Sequence, residues 1–118
     1  MFAVALLITF VMEKGATFQY VLTVKTGEPP EPLDITGCAA QMLIKPDWES
    51  ATIYEDLSTA NGMLFLTGEP GEIGFEIPKS HTLAATWRKG VCALYLDWPD
   101  DRTWTLGRGP AFVEVGTR

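Results

Sequence analysis

Few side chains in this sequence could act as an acid, a base or a nucleophile at neutral pH. His81 is the only histidine, and no Ser or Cys nucleophile motif surrounds it. Two pairs of neighbouring carboxylates occur, Glu55-Asp56 and Asp100-Asp101. Because adjacent side chains of an extended chain point to opposite sides, neither pair suits acid–base catalysis on one bond. We therefore predict a surface or helix-start histidine and solvated carboxylates.

The sequence also lacks the motifs that hold metals, phosphates and cofactors. Cys38 and Cys92 are the only cysteines, and no CxxC or Cys/His cluster accompanies them, which argues against zinc. Gly107-x-Gly109 continues into a proline and not into a helix, so it is not a phosphate-binding loop. The cysteines are interpreted as reduced core thiols, as a disulfide or as one functional thiol. We expect no catalytic residue, no metal, no cofactor and no enzymatic activity.

The composition is typical of one globular domain. The chain has 118 residues, of which 47% are apolar and 20% are charged. This length is sufficient for a core of its own without a metal or a disulfide. The formal net charge is −6, and the longest basic run is Arg88-Lys89. Because nucleic-acid binding needs clustered basic side chains, nucleic acid is not an expected partner.

The beginning of the chain is an apolar run, MFAVALLITFVM, with no charge before Glu13. It is too short for a transmembrane helix and lacks the positive start and the cleavage site of a signal peptide. Its β-branched and aromatic residues favour extended backbone that is covered on both faces. Three interpretations stay open: a strand that contacts another subunit, an internal strand, and a membrane or export role. We divide the chain into this arm, residues 1–12, and a domain, residues 13–118; Met1 and Met12 are both candidate start residues.

The rest of the chain alternates between short strand-like runs and turns, and one segment within residues 80–86 is typical of a short helix that Ser80 caps. The run Gly90–Trp98 is predicted to be central, and Gly107–Pro110 is predicted to be a kink or a bulge. Short strands with turn residues at this spacing indicate a sandwich or a barrel. The predicted strands are Thr17–Val24, Cys38–Lys45, Ala51–Leu57, Met63–Leu66, Glu72–Ile77, Gly90–Trp98, Thr103–Leu106 and Ala111–Val115.

The tryptophans near the last hairpin have three interpretations: core or core edge, a subunit interface, and a platform for a sugar ring. If the turn Pro99–Arg102 places Asp97 opposite Trp104, then Trp104 shares an outward face with Tyr95 and Leu106. Aromatic residues on such a face are typical of protein interfaces. The candidate interface residues are therefore those of the apolar arm and of this face: Phe2, Val4, Leu6, Ile8, Phe10, Tyr95, Trp104 and Leu106.

The order of turns and strands from about Met12 to Val115 resembles a known family. The motifs that carry the resemblance are the Gly-x-Thr-Phe start Gly15–Phe18, the turn Leu33–Gly37, the Met-x-Ile-Lys strand Met42–Lys45, the hairpin Asn61-Gly62, the strand Gly71–Ile77, a short helix, the strand Gly90–Trp98 and an acidic hairpin. Together they resemble the small immunoglobulin-like domains of tailed bacteriophages, similar to the N-terminal domains of upper baseplate proteins and of related tail accessory proteins.

The resemblance implies an all-β, antiparallel, immunoglobulin-like β-sandwich of about 7–9 short strands with one short helix near residues 80–86. It implies a structural virion protein of the tail, an adaptor at the baseplate or at a fibre attachment site. Such a protein assembles through sheet edges and its N-terminal arm with copies of itself and with neighbouring virion proteins. It is made in the cytoplasm of a bacterial host and is located in the virion, with no membrane partner. The alternatives are a capsid decoration or head–tail protein with the same fold and, from the tryptophans, a carbohydrate-binding module.

Overall fold

In a computed structural model, which describes residues 6–115, the chain forms two main β-sheets and a short two-stranded ribbon. The described residues contain one helix, α1, which comprises Lys79–Leu83. The strands are β1 (Leu6–Leu7), β2 (Phe10–Lys14), β3 (Phe18–Thr23), β4 (Lys25–Thr26), β5 (Glu31–Pro32), β6 (Ala39–Lys45), β7 (Glu55–Ser58), β8 (Leu64–Leu66), β9 (Glu72–Ile77), β10 (Lys89–Asp97) and β11 (Thr103–Val115).

The larger sheet has the order β1-β11-β10-β6-β7, and β2 continues along β11 after β1. β10 pairs antiparallel with both β11 and β6, which confirms that Gly90–Trp98 is central. β1 and β2 run parallel to β11. The smaller sheet has the order β3-β9-β8 and is antiparallel. Two such sheets, with the first strands beside the last strand, form an immunoglobulin-like β-sandwich, and the predicted all-β sandwich with one short helix is confirmed. The described residues contain eleven strands, more than the 7–9 predicted, and the pairing of β1 and β2 with β11 is parallel where antiparallel strands were predicted.

The core lies between the two sheets, because each sheet directs alternate side chains toward the other. β6 shows this alternation: Ala40, Met42 and Ile44 are buried, and the residues between them are only half-buried. Each fully buried aliphatic side chain contributes about 1.5–3 kcal/mol relative to an exposed one. The fully buried large apolar residues are Met12, Val24, Met42, Ile44, Leu57, Leu64, Ile73, Ile77, Leu94, Leu96 and Leu106.

Two predicted strands have other bounds in the structure. The segments Thr103–Leu106 and Ala111–Val115 belong to one strand, β11, because Gly107–Pro110 keeps its pairing with β10. The irregularity is a shift in register between Leu94 and Tyr95, beside the start of the predicted kink. The strand predicted over Ala51–Leu57 begins only at Glu55.

The helix begins earlier than predicted and without the expected cap. α1 follows Pro78, whose backbone is extended, and no side chain caps its start; Ser80 lies inside the helix. Thr82 attaches this helix to the turn between β2 and β3. Its fully buried hydroxyl oxygen accepts from the N–H of Gly15 at 3.2 Å and donates to the carbonyl of Ala16 at 2.8 Å.

The turn Leu33–Gly37 forms as its residue types predict. The N–H of Thr36 donates to Asp34 Oδ1 at 3.1 Å, and Gly37 has a φ of +83°, which favours glycine. Hydrogen bonds from Thr36 lower the pKa of Asp34. The chain leaves this turn directly into β6, the neighbour of the central strand.

Candidate interaction surfaces

An apolar groove of about 390 Å³ runs along one side of the sandwich, between β1 and β2 of the larger sheet and β3 of the smaller one. We call it the lateral groove. No charged side chain lies among the residues that line it: Leu7, Ile8, Thr9, Phe10, Val11, Phe18, Tyr20, Leu22, Met42 and Phe75. Water therefore meets core-facing side chains of both sheets along this side.

Tyr20 shows most clearly that this side is uncovered. Along β3, Phe18, Tyr20 and Leu22 share the face directed to the core, and Phe18 and Leu22 pack against buried residues. The Tyr20 ring lies 6.0 Å from that of Phe75, but 55% of the residue stays exposed. A core-facing aromatic residue is exposed to this extent because no strand lies beyond β3 among the described residues.

The free edge of β3 is therefore an open pairing site. β3 contributes six residues, pairs only with β9 within residues 6–115, and contains neither charge nor proline. The outer strands on the other side differ, since β7 carries Glu55 and Asp56 and β8 has only three residues. Proteins protect exposed edges with charges, prolines or short strands, and β3 has none of these features.

The apolar arm is only partly described. Phe2 and Val4 lie outside the described residues, and Leu6 is placed in β1, opposite Gly107. Ile8 packs against the core, and Phe10 is buried, with its ring 4.8 Å from that of Phe18. From residue 6 onward the segment thus pairs within its own subunit; whether it also contacts another subunit stays a prediction, as does the division at residue 12. Within residues 6–115, no helix is long and apolar enough to cross a bilayer.

A second apolar surface lies on the outer face of the larger sheet. Leu43, Val91, Ala93 and Tyr95 line a small depression there together with Trp48 and one charged residue, Lys45. Trp48 is 47% exposed. The Arg108 guanidinium lies over its ring, 5.2 Å from the centroid, which is a favourable cation–π distance.

The predicted common face of Tyr95, Trp104 and Leu106 is wrong. Leu96, and not Asp97, lies opposite Trp104, because the register differs by one residue from the one predicted. Such a slip moves a side chain to the other face of a strand. Leu106 is accordingly fully buried and Trp104 packs against the core, while Tyr95 is half-buried on the outer face. A role of Tyr95 in an interface stays a prediction.

The tryptophans do not share an exposed platform. Trp87 is 6% exposed and stacks on Tyr54 at 5.4 Å. Trp98 and Trp104 pack edge to face, with ring centroids 4.9 Å apart, and the Arg102 guanidinium lies 5.1 Å from the Trp98 ring. Because the Trp98 and Trp104 rings pack against each other, they do not form a flat platform on which a sugar ring could stack.

The prediction of solvated carboxylates is wrong for Glu55, which lies in a buried cluster of polar side chains near the start of β7. Glu55 is 7% exposed, and its Oε2 accepts from the indole N–H of Trp87 at 3.0 Å. Its Oε1 lies 2.5 Å from Nε2 of His81; because a carboxylate only accepts, the ring nitrogen is the donor. Both oxygens of Glu55 are thus used to hold α1 and the segment after it against β7. Asp56 points outward and accepts from Gln41 at 2.9 Å, as strand alternation requires.

Both cysteines are buried free thiols. Burial raises the pKa of Cys92 to about 11 and also raises the pKa of Cys38. A thiol with a raised pKa is a poor nucleophile near neutral pH. The residues that the structure describes contain no group of three or more His, Cys, Asp or Glu side chains that could hold a metal ion.

Comparisons with known proteins add little to this geometry. No family model matches the chain, and no curated protein matches it either. Among solved structures, extracellular domains 3–5 of Drosophila OTK are similar to 96% of this chain, with 12% sequence identity and a TM-score of 0.33. The chain covers 33% of the length of that structure. The immunoglobulin-like fold therefore rests on the strand order and not on this similarity.

Proposed function

We propose that this chain is a structural protein of a tailed-phage virion, an adaptor of the tail that acts at the baseplate or at a fibre attachment site by binding alone. The observation that carries the proposal is the open side of the sandwich, where the lateral groove and the free edge of β3 lie together. The order of motifs from Gly15 to Val115, which resembles tail accessory domains, supplies the biological setting.

An open side of this kind favours assembly for a physical reason. Covering apolar surface contributes about 25 cal/mol per Å², and a free strand edge adds main-chain hydrogen bonds to a partner strand. Leu7, Val11, Tyr20 and Val21 are all at least 40% exposed along this side. In isolation these residues gain nothing from exposure, whereas in an assembly each one can be buried.

The position of the second apolar surface also supports an adaptor. Trp48 and Tyr95 lie on the outer face of the larger sheet, whereas the lateral groove lies along the edge between the two sheets. A protein that joins two neighbours needs two separate contact surfaces on a rigid body. The β-sandwich provides that body, because its core is continuous from β2 to β11.

The experiment that tests the proposal is the location of the chain in the particle. Virions of the phage that encodes it are separated into heads and tails, and each fraction is analysed by mass spectrometry and by immunogold electron microscopy. We expect the chain in the tail fraction, at a copy number set by the symmetry of the tail axis. Its presence only in the head fraction would favour a capsid decoration or head–tail role, and its absence from both fractions would refute a virion protein.

A substitution at Tyr20 tests whether the chain enters tails through the open side of the sandwich. Tyr20→Lys places a charge in the lateral groove, and we expect it to remove the chain from assembled tails. Ile53→Lys is the matched control, because Ile53 is a similarly exposed apolar residue, 49% against 55%, in the loop before β7. If both variants enter tails as well as the parent chain, the open side is not the surface that assembles.

A further inference from the structure

We propose that the occupant of the open side is a second copy of this chain, whose β3 pairs antiparallel with β3 of the first. The two smaller sheets then form one continuous sheet, and the two lateral grooves face each other and close. This inference rests on the proposed function for its setting, because it names the first partner of a protein that acts by assembly.

The strand itself provides the first argument. An edge strand pairs with a copy of itself when it is regular, uncharged and free of proline and bulges. β3 reads FQYVLT, pairs with β9 in an unbroken register from Phe18 to Thr23, and carries no charge. Residues on both of its faces are exposed, Tyr20 at 55% and Val21 at 53%. A neighbouring strand would cover part of both.

Symmetry limits the register to a small set. In an antiparallel pair, directly opposite residues share a face, so a two-fold axis must pass beside one residue for core-facing side chains to stay together. An axis at Tyr20 places Phe18 opposite Leu22 of the second copy. An axis at Val21 places Tyr20 opposite Leu22 of the second copy. Either arrangement joins the core-facing residues of the two copies into one apolar layer.

The lack of charge on the contact surface favours a second copy of the chain over a partner with charged contact residues. The whole chain has a formal net charge of −6, so two copies repel each other at long range. The residues that line the lateral groove and those of β3 are uncharged; the nearest charged residues in the sheet, Glu76 and Glu72 of β9, lie opposite Gln19 and Thr23. A partner strand must therefore present uncharged, alternately apolar residues, and β3 has this pattern.

The size of the contact sets its strength. Six residues at about 3.4 Å each give an edge about 20 Å long, and with two sheets about 10 Å apart the contact covers roughly 200 Å² per copy. Specific, stable interfaces usually cover about 800 Å² per partner, so this contact belongs to the weak class. We therefore expect a reversible dimer with a dissociation constant on the order of micromolar or weaker, which the high local concentration in a virion would populate.

The test is the concentration dependence of the mass of the purified chain. Sedimentation velocity over roughly 1 to 500 µM is expected to show a shift from monomer to dimer. Val21→Lys adds a charge beside the free edge and is expected to weaken the dimer at least about tenfold. Ile53→Lys adds the same charge at a residue of similar exposure, 49% against 53%, and is expected to leave the dimer unchanged. Circular dichroism verifies that both variants stay folded.

Cysteine cross-linking identifies the strand register. Tyr20→Cys and Val21→Cys place a thiol at the two candidate axis positions, and the variant whose thiol lies on the axis is expected to form a disulfide-linked dimer; Ile53→Cys is the control. A chain that stays monomeric at all concentrations, a dimer that Val21→Lys does not weaken, or cross-linking no faster than for Ile53→Cys would each overturn the inference. A monomeric chain found in tails would refute only the pairing, and a β3-linked dimer absent from virions would refute only the tail role.

Discussion

The two lateral sides of the sandwich are constructed in opposite ways. On the side where β7 passes to β8, side chains satisfy the backbone: Asn61 Oδ1 accepts from the N–H groups of Ser58 at 3.1 Å and Met63 at 3.0 Å, and its amide donates to the carbonyl of Asp56 at 2.7 Å. Nearby, Glu55 joins β7 to α1. On the side of β2 and β3, apolar side chains and a strand edge stay in contact with water.

This difference separates the residues that stabilise the monomer from the residues that are available for contact with a partner. Hydrogen bonds between neighbouring segments on the side of β7 stabilise the monomer, because the buried Glu55 oxygens and the Trp87 indole N–H already have partners. The exposed side chains along the lateral groove and the free edge of β3 lack such partners, so they contribute little to the stability of the monomer until another surface covers them. The buried groove residues Phe10, Met42 and Phe75 belong to the core. We call the two regions the closed side and the open side. Substitutions on the closed side should alter folding, whereas substitutions on the rim of the open side should alter assembly.

The largest effect is expected at Glu55. Glu55→Ala removes the acceptor for the buried Trp87 N–H and for His81, and we expect it to destabilise the fold by about 3 kcal/mol. The melting temperature should fall by roughly 10 °C in a thermal unfolding experiment. Asp56→Asn, at the exposed neighbouring carboxylate, is the control and should cost less than about 0.5 kcal/mol. Equal effects of the two substitutions would show that the buried cluster does not stabilise the closed side.

The second-largest effect is expected at Gly109, where the N-terminal segment runs alongside β11. A Cβ at Gly109 would overlap the backbone carbonyl of Ile8, which cannot move without displacing the segment between β1 and β2. We expect Gly109→Ala to cost about 2 kcal/mol and to increase amide hydrogen exchange in β2 more than in β9. Gly74→Ala is the control, because the atoms nearest to its Cβ would be those at the far end of the partly exposed Phe65 ring, which can rotate away. Uniform exchange along the chain would contradict a local attachment of the N-terminal segment.

A smaller effect is expected at Cys92, on the central strand between the two sides. Its pKa is raised to about 11, so the folded state keeps the proton while the unfolded state loses it above about pH 8.5. The contribution of the buried Cys92 thiol to the free energy of unfolding is therefore complete below about pH 8.5 and decreases as the pH rises toward 11. Urea unfolding at pH 8 and pH 10 should show this decrease in the parent chain and a weaker one in Cys92→Ala. An identical decrease in both proteins would exclude Cys92 as its source.

The smallest effect on folding is expected at the rim of the open side. Val21→Lys changes a 53% exposed residue that points away from the core, so the free energy of unfolding of the monomer should change by less than about 0.5 kcal/mol. Urea unfolding at low concentration, where the chain is monomeric, measures this value. A loss of more than about 1 kcal/mol would mean that the rim of the open side stabilises the monomer, against the distinction drawn between the two sides.

Local chemistry explains which parts of the fold could be predicted from the sequence. The alternation in β3, the apolar run of β10 and the turn Leu33–Gly37 depend on residues close together in the chain. Glu55 and Trp87 form a hydrogen bond although they lie 32 residues apart in the sequence. No sequence pattern around either residue predicts that contact. The bond between Glu55 and His81 could not be predicted for the same reason.

The register at the last hairpin illustrates a second limit. A turn of given residue types does not decide between two alignments that differ by one residue, and this difference moved Leu106 from an expected surface to the core. The open side was predicted only in outline, as sheet edges and an apolar arm. Its geometry follows from the parallel pairing of β1 and β2 with β11, a choice of sheet that the apolar run alone does not encode.

The parallel pairing of the N-terminal segment with the last strand has a mechanical consequence. Leu6 lies beside Gly107 and Lys14 beside Val115, so residues 6 and 115 lie eight residues of β11 apart, roughly 27 Å along the strand. A pull between these two points would load the hydrogen bonds along β11 in shear, all at once, and not one after another as in peeling. A domain of this construction resists stretching between these two points more than one whose terminal strands peel apart.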